Sequence, residues 1–269
     1  MPHTRISRKS PLLYAPAAEG RSAAEVLNLP PDEARHVRAL RLEPGSPVRL
    51  TDGRGRMWGA RLSRSAGDSQ SCVLVSELDA PPSLPVEVAF GVANKAHTLW
   101  LVEKATEMGV ARLSPVEFAR SRSVADAARP ATFWKKAGRR AVSAMKQSGR
   151  AWLPELEQVR DLQEFLPQSD REGTSSDPTP AVAAVRILLD QSAEPLGRRV
   201  SEWNGEPPIT VLVGPEGGLT DAERVLVLST VFTPARLTCS TLRFETAAVA
   251  AVAVIADHLE TVRADRSAA

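Results

Sequence analysis

The sequence predicts an α/β protein in which a small N-terminal β-barrel precedes a larger domain with a mostly parallel sheet. Residues 47–78 contain short alternating runs separated by turn residues, a pattern typical of antiparallel strands. Residues 79–85, DAPPSLP, contain prolines that interrupt both ladders and helices. After this linker, apolar runs alternate with helical patterns. We therefore expect a boundary near residue 82, with domains at 1–82 and 83–269.

The N-terminal segment MPHTRISRKSPLLYAP has basic and hydroxyl-bearing residues but no acidic ones. This composition superficially resembles an organelle transit peptide, but the segment is short and lacks an apolar core. We expect a frayed basic arm that touches a partner, with no cleaved signal. Residues 30–42, PPDEARHVRALRL, place two prolines at a helix entrance, and their apolar spacing predicts a short helix. Asp52-Gly53 and Ala66-Gly67-Asp68 are predicted turns between strands.

The second domain is predicted to alternate strands with helices. Residues 167–180 have the composition of a surface loop. The expected strands are 86–94, 112–118, 181–190, 209–214 and 235–239, and the expected helices are 98–109, 130–149, 196–203, one from Asp221 and one from Glu245.

Composition excludes several classes of protein. The 269 residues are 43% hydrophobic, enough for an ordinary core, and the net charge of +2 indicates no particular partner. Cys72 and Cys239 lack the spacing of a zinc site or a disulfide framework, so we predict no metal and a reducing compartment. The longest apolar run, 247–256, is shorter than the ~18 residues of a membrane span and predicts a buried helix.

The stretch VLVGPEGGLT at 211–220 has the form of a strand, a glycine-rich loop and a helix start. Thr220 and Glu223 have the spacing of a capping box. Loops after parallel strands bind ligands in open α/β sheets, and glycine allows close approach to the main chain. The alternative is a tight turn without a ligand. Leu219-Thr220 replaces the Lys-Ser/Thr pair of a phosphate loop, and the glycine spacing differs from the dinucleotide fingerprint.

Five segments together resemble one known family. HVRALRLEPGSPVRLTDGRG, EKATEMGV, KQSGRAWLPEL, VLVGPEGGLT and TLRFETAAVAA occur in the order and spacing of the small-subunit ribosomal RNA methyltransferase E family. The resemblance covers nearly the whole chain. It implies an N-terminal PUA-like RNA-binding barrel, a trefoil-knotted SPOUT domain, and methylation of uridine N3 in 16S-type rRNA by a homodimer.

The same resemblance implies a site for S-adenosyl-L-methionine, held in a bent pose by main-chain groups and apolar walls. For Leu237 and Leu242, the alternative interpretation is plain core packing. The implied cofactor residues are Leu189, Gly214, Pro215, Glu216, Gly218, Leu237, Ser240, Leu242, Arg243, Thr246 and Ala247.

Two residues are candidates for the chemistry. Arg243 could polarise a uracil carbonyl and favour the anionic imide. Glu216 could accept the N3 proton or only hold the loop, and we favour holding the loop. Glu245 suits the first turn of a helix through the helix dipole.

A basic helix is expected to contact RNA phosphates, with a solvated surface as the alternative. Lys146, Thr98 and Ser121 depart from the family pattern, which affects the RNA contacts more than the cofactor site. The candidate RNA-binding residues are Arg38, Arg41, Lys95, Arg122, Lys136, Arg139, Arg140, Lys146 and Arg150, with Lys135 on the same helix.

We expect a homodimer acting on small-subunit rRNA within an assembled or nearly assembled 30S-type subunit, without a membrane. The compartment expected is the cytoplasm, or a plastid or mitochondrion if the source is eukaryotic. Two other functions remain open. One is a SPOUT methyltransferase acting on a tRNA base or a ribose 2′-hydroxyl, and the other is a non-catalytic RNA-binding assembly factor.

Overall fold

The structure is a computed structural model that describes residues 5–64, 69–121, 130–166, 184–203 and 206–268. Arg122 and the predicted features at 66–68 and 167–180 lie outside these ranges. Contacts divide the chain into two compact units. One comprises residues 1–83 and 142–153, and the other comprises 84–141 and 154–269.

The first unit contains a mixed five-stranded sheet. Its strands are β1 (Leu12–Tyr14), β2 (Val26–Asn28), β3 (Pro47–Thr51), β4 (Met57–Leu62) and β5 (Ser71–Leu78), in the order β1-β3-β4-β5-β2. β1 pairs in parallel with β3, and the other pairs are antiparallel. Leu13, Leu50, Trp58 and Leu74 pack in its core with Val37 of helix α1 (Pro31–Ala39).

Part of the N-terminal segment that the sequence predicts as a frayed arm forms strand β1. Leu12, Leu13 and Tyr14 pair with Arg49, Leu50 and Thr51, so the expectation of a free arm is wrong for these residues. Leu13 is fully buried. Three residues without alternation give no periodic signal, which is why the sequence does not reveal this strand.

The second unit has a parallel sheet with strand order β12-β10-β11-β6-β7-β8. β9 pairs with β7 off this path. This sheet and the mixed sheet confirm the predicted α/β class. The strands are β6 (Leu84–Gly91), β7 (Val110–Glu117), β8 (Glu155–Leu156), β9 (Arg160–Asp161), β10 (Val185–Leu189), β11 (Ile209–Val213) and β12 (Thr233–Ala235).

Helices connect these strands, and most lie where the sequence predicts them. α2 begins three residues earlier than expected, because the Asn94 side chain accepts hydrogen bonds from the Ala96 and His97 amides. Gly109 ends α2 in a left-handed conformation. The helices are α2 (Lys95–Met108), α3 (Ala131–Ser148), α4 (Leu162–Phe165), α5 (Leu196–Val200), α6 (Asp221–Leu228) and α7 (Phe244–Ala268).

Two features near the C-terminus position the site. The strand expected at 235–239 lies earlier in the chain, because β12 ends at Ala235 and residues 237–243 form a loop. α7 buries one side, including Ala248, Val252 and Ile255, and contacts α2 and β6. Among the described helices, none is both long and apolar enough to cross a membrane.

Candidate functional site

A cavity of about 820 Å³ lies at the carboxyl ends of β10, β11 and β12. The carboxyl ends of parallel strands share one edge of the sheet, which is where open α/β sheets bind ligands. Leu188 and Leu189 line the cavity from β10, and Val213 lines it from β11. The loop after β12 and the first turn of α7 complete the lining, together with His97 of α2 and Arg224 of α6.

The glycine-rich loop after β11 is held by its own backbone and by Arg120. The Gly218 amide donates to the Pro215 carbonyl at 2.8 Å, and Gly218 has φ +69°, which favours glycine. Arg120 Nη1 donates to the carbonyls of Gly217 at 2.8 Å and Leu219 at 3.3 Å. A Cβ at Gly214 would lie 2.3 Å from Leu219 Cδ1, so the turn closes tightly on its own side chain.

The predicted capping box of α6 is confirmed. Thr220 Oγ1 accepts from the Glu223 amide, and Glu223 Oε2 accepts from the Thr220 amide at 2.8 Å. Glu223 Oε1 also accepts from the Ala119 amide at 2.6 Å. Burial alone would raise the pKa of Glu223, but hydrogen bonds from Ala119 and Thr220 lower it below its ordinary value.

Most of the residues predicted to bind the cofactor line this one cavity. Leu237 and Leu242 are only half-buried, and they face the cavity instead of belonging to a buried core. Thr246 is exposed and does not line the cavity. The predicted residues that do line it are Leu189, Gly214, Pro215, Glu216, Gly218, Leu237, Ser240, Leu242, Arg243 and Ala247.

The two residues predicted to take part in the chemistry both reach the cavity, in different surroundings. Arg243 is exposed, and within the described residues its guanidinium forms no hydrogen bond or ion pair. Glu216 Oε1 lies 2.8 Å from His97 Nδ1. Glu245 lies 3.9 Å from the same nitrogen and is 7% exposed, and its Oε2 atom has no hydrogen-bond partner among the residues that the structure describes. One potential ligand atom from each of His97, Glu216 and Glu245 lies within 4.8 Å of the others.

Sequence reasoning missed three residues at the site. His97 is one of them, and the helix prediction beginning at Thr98 excluded it. Gly91 ends β6 so close to the loop that a Cβ would lie 2.4 Å from the Pro215 nitrogen, and a glycine within a strand pattern is the available signal. Asp190 lines the cavity and accepts from Arg224 Nε at 2.6 Å. Burial raises the pKa of Asp190, but hydrogen bonds from Ser192 and Arg224 outweigh it and lower the pKa.

The comparison with protein families gives an RNA methyltransferase domain at residues 80–256. A ribosomal RNA small subunit methyltransferase E from Synechocystis is 30% identical over 226 residues, covering 83% of this chain and 70% of the relative. The chain belongs to the ribosomal RNA small subunit methyltransferase E family. A relative of the same name from Bacillus subtilis is 25% identical, covering 90% of this chain and 94% of its own.

Solved structures share the fold of this family member. A methyltransferase from Legionella pneumophila in complex with S-adenosylmethionine is 25% identical, with a TM-score of 0.75 over 92% of this chain and 97% of that one. A ribosomal RNA small subunit methyltransferase E from Neisseria gonorrhoeae has a TM-score of 0.75 over 91% of this chain and 96% of its own. At 24% identity, the Neisseria protein supports the fold alone.

The basic residues predicted to contact RNA in this family member differ in their environment. Lys136 and Arg139 are exposed on α3, as is Lys95 at the start of α2. Arg140 pairs with Glu103 at 2.9 Å. Lys146 pairs at 2.7 Å with the buried Glu33, a contact that the sequence does not reveal. Arg38 and Arg41 are exposed in the first unit, and Arg150 is half-buried there.

Proposed function

We propose that this chain methylates N3 of a uridine in 16S-type small-subunit rRNA, with S-adenosyl-L-methionine as the methyl donor. The observation that supports this most directly is the cavity at the strand ends, because ten of the residues implied by the family resemblance line it. The choice of N3 as the methylated atom rests on that resemblance. The PUA-like barrel and the trefoil knot rest on it in the same way.

The cavity fits a ligand of this kind. Its volume of about 820 Å³ lies within the ~300–1,000 Å³ typical of small-molecule sites. Leu189, Leu237 and Leu242 supply apolar walls. At Gly91 the backbone of Pro215 approaches too closely to admit a side chain, and at Gly214 the side chain of Leu219 occupies that space, so main-chain groups are left exposed for recognition of a ligand. These features suit an adenosine held by backbone contacts.

The bound donor supplies an activated methyl group on its sulfonium, so the protein contributes mainly orientation. Arg243 lines the cavity with an exposed guanidinium, which can stabilise negative charge developing on a uracil carbonyl. Arg120 donates hydrogen bonds to the carbonyls of Gly217 and Leu219, which hold the glycine-rich loop in place before a ligand binds. Glu216 holds His97 through a hydrogen bond, which supports a positioning role for this carboxylate.

We further propose that the exposed cations of α3 position RNA through its phosphates, and that the acting species is a homodimer. Phosphate contacts fix orientation without reading sequence, so the target uridine must still be turned out of its stack. The half-exposed side of α7, with Ala250 and Val254, offers an apolar surface for a twofold contact.

The test is methylation of small ribosomal subunits in vitro, followed by digestion and nucleoside mapping. We expect N3-methyluridine at one position, dependent on added S-adenosyl-L-methionine. A 2′-O-methylated nucleoside, or transfer to tRNA, would replace this proposal with another RNA methyltransferase activity. A reaction without the donor is the control.

A calorimetric titration separates the enzyme from a non-catalytic RNA-binding factor. We expect saturable binding of S-adenosyl-L-methionine with one site per chain. No binding to the folded protein would contradict the enzyme assignment and favour the assembly factor.

A further inference from the structure

A histidine and two glutamates meet at the edge of the cavity. His97 lies in the first turn of α2, Glu216 in the loop after β11, and Glu245 in the first turn of α7. The imidazole is partly exposed, with 28% of its side chain accessible, and it lines the cavity with Glu216. The side chain of Glu245 is only 9% accessible. The imidazole of His97 is therefore accessible from the cavity, whereas the carboxylate of Glu245 is buried.

The hydrogen bond to Glu216 determines which nitrogen of His97 can accept a proton. Nδ1 lies 2.8 Å from Glu216 Oε1 and 3.3 Å from Asn94 Nδ2. A carboxylate accepts but does not donate, and a charge-assisted bond is stronger than an amide contact. The shorter contact therefore places the hydrogen on Nδ1 and the lone pair on Nε2. Within the described residues, Nε2 has no hydrogen-bond partner.

Two carboxylates face the imidazole of His97. Glu216 and Glu245 both face Nδ1, at 2.8 and 3.9 Å. The ring of Phe244 lies beside the imidazole, with the two ring centroids 6.4 Å apart. The other charged residues lining the cavity are Asp190, Arg224, Arg236 and Arg243.

We propose that His97 is the proton acceptor of the methyl transfer, with Glu216 as its positioning residue. The inference rests on the proposed uridine-N3 reaction. His97 Nε2 takes the proton from uracil N3, and the N3 electron pair forms the bond to the methyl carbon. The carbon–sulfur bond breaks and sulfur keeps its electron pair, leaving a neutral thioether. The imidazolium then releases its proton to solvent.

This assignment separates the roles of the two carboxylates. Glu216 accepts the Nδ1 hydrogen and orients the ring, while Glu245 stabilises the positive charge from behind. Glu245 is too deeply buried to contact the uracil ring directly. In this proposal Glu216 holds His97 and does not itself accept the N3 proton.

The test compares His97→Asn with wild type, and uses His36→Asn as the matched control on the surface helix α1. General-base catalysis contributes about 10²–10⁴-fold, so we expect a loss of that size in the single-turnover rate near neutral pH. Calorimetry should show unchanged S-adenosyl-L-methionine affinity, which also verifies folding. The His36→Asn rate should equal that of wild type.

The pH profile distinguishes proton transfer from a structural role. The wild-type rate should rise with pH and then reach a plateau, as expected where an imidazole must be unprotonated to act. The His97→Asn rate should instead rise steadily in alkaline buffer, as N3 ionises without assistance. Glu216→Gln should lower the rate less than His97→Asn and keep the wild-type shape.

Each adverse outcome has a distinct meaning. If wild type forms N3-methyluridine but His97→Asn keeps its rate and profile, this inference fails and the proposed function stands. If wild type forms another product, the proposed function fails first. A rate abolished by a chelator and restored by Zn²⁺ or Mg²⁺ would make the three side chains a metal site and overturn the proton-acceptor role.

Discussion

Gly218 shows how a single backbone conformation supports the loop. Its φ of +69° is disfavoured for other residues, and the nearest atom to an added Cβ is Arg120 Nη1 at 3.8 Å. Gly218→Val should therefore weaken S-adenosyl-L-methionine binding through backbone strain rather than through a clash. We expect the Kd, measured by calorimetry, to rise about tenfold, corresponding to ~1–2 kcal/mol.

Gly218→Asn is the matched control for this prediction. Asparagine tolerates the left-handed conformation better than a β-branched residue does, so its affinity should lie near that of wild type. Equal losses in both variants would mean that the space at Gly218, and not its φ, matters for the ligand.

Lys146 illustrates a residue whose partner only the structure reveals. Its ammonium lies 2.7 Å from Glu33, which is 4% exposed. Lys146→Ala leaves a buried carboxylate uncompensated, and should reduce the free energy of unfolding by about 3–5 kcal/mol. Chemical denaturation measures this directly.

Two further variants separate charge from packing at this pair. Lys136→Ala, at an exposed position of the same helix, should change stability by less than about 0.5 kcal/mol. The double variant Glu33→Met/Lys146→Met should recover most of the loss, because it removes both buried charges. Similar behaviour of Lys146→Ala and Lys136→Ala would show that the ion pair does not contribute.

At the scale of elements, the start of α6 links the glycine-rich loop to the segment after β7. Glu223 accepts from Ala119 and closes the capping box, and its pKa is lowered from 4.5. A carboxyl group whose pKa is lower in the folded than in the unfolded protein stabilises the fold at pH values above its unfolded pKa. This stabilisation is lost as the pH falls through the pKa of the folded protein. The difference in Tm between wild type and Glu223→Gln should therefore be largest above about pH 4.5 and shrink below it.

The exposed Glu202→Gln variant is the control for this pH series, and should track wild type. A Tm difference that stays constant from neutral to acid pH would show that the Glu223 charge is not what stabilises the helix start.

Helix α3 carries the predicted RNA contacts. Lys136 and Arg139 are exposed, whereas Arg140 is held by Glu103 at 2.9 Å. Lys136→Ala/Arg139→Ala should weaken RNA binding and lower the slope of log K against log salt by about one per lost phosphate contact. Affinity for S-adenosyl-L-methionine should not change.

Arg198→Ala on α5 is the control, since Arg198 already pairs with Glu194 on the surface. A salt slope equal to wild type for the α3 double variant would place the RNA path elsewhere.

At the scale of the whole molecule, we predict a homodimer that is required for activity. α7 buries Ala248, Val252 and Ile255 within its own unit, while Ala250 and Val254 remain half-exposed. In a twofold contact, one substitution is present twice. Ala250→Glu should separate the chains, since two buried carboxylates would cost several kcal/mol.

Sedimentation and methyl transfer across a dilution series test this prediction together. Activity should disappear together with the dimer in Ala250→Glu, while Ala264→Glu, exposed near the end of the same helix, should keep both. A fully active monomer would refute the requirement.

The sequence by itself determined the α/β class and the strand, loop and helix at 209–228. These depend on local patterns: an apolar run, glycines, and the Thr220–Glu223 spacing. The family motifs further identified ten residues that line one cavity.

Only the tertiary structure decided which distant side chains meet there. His97 contacts Glu216, which lies 119 residues away in the sequence, and Arg120 contacts Gly217, which lies 97 residues away. The β1 pairing with β3 and the loop after Ala235 depend likewise on neighbours remote in sequence. Local propensity carries no information about such contacts, because they form where the sheet brings the ends of separate strands and helices together.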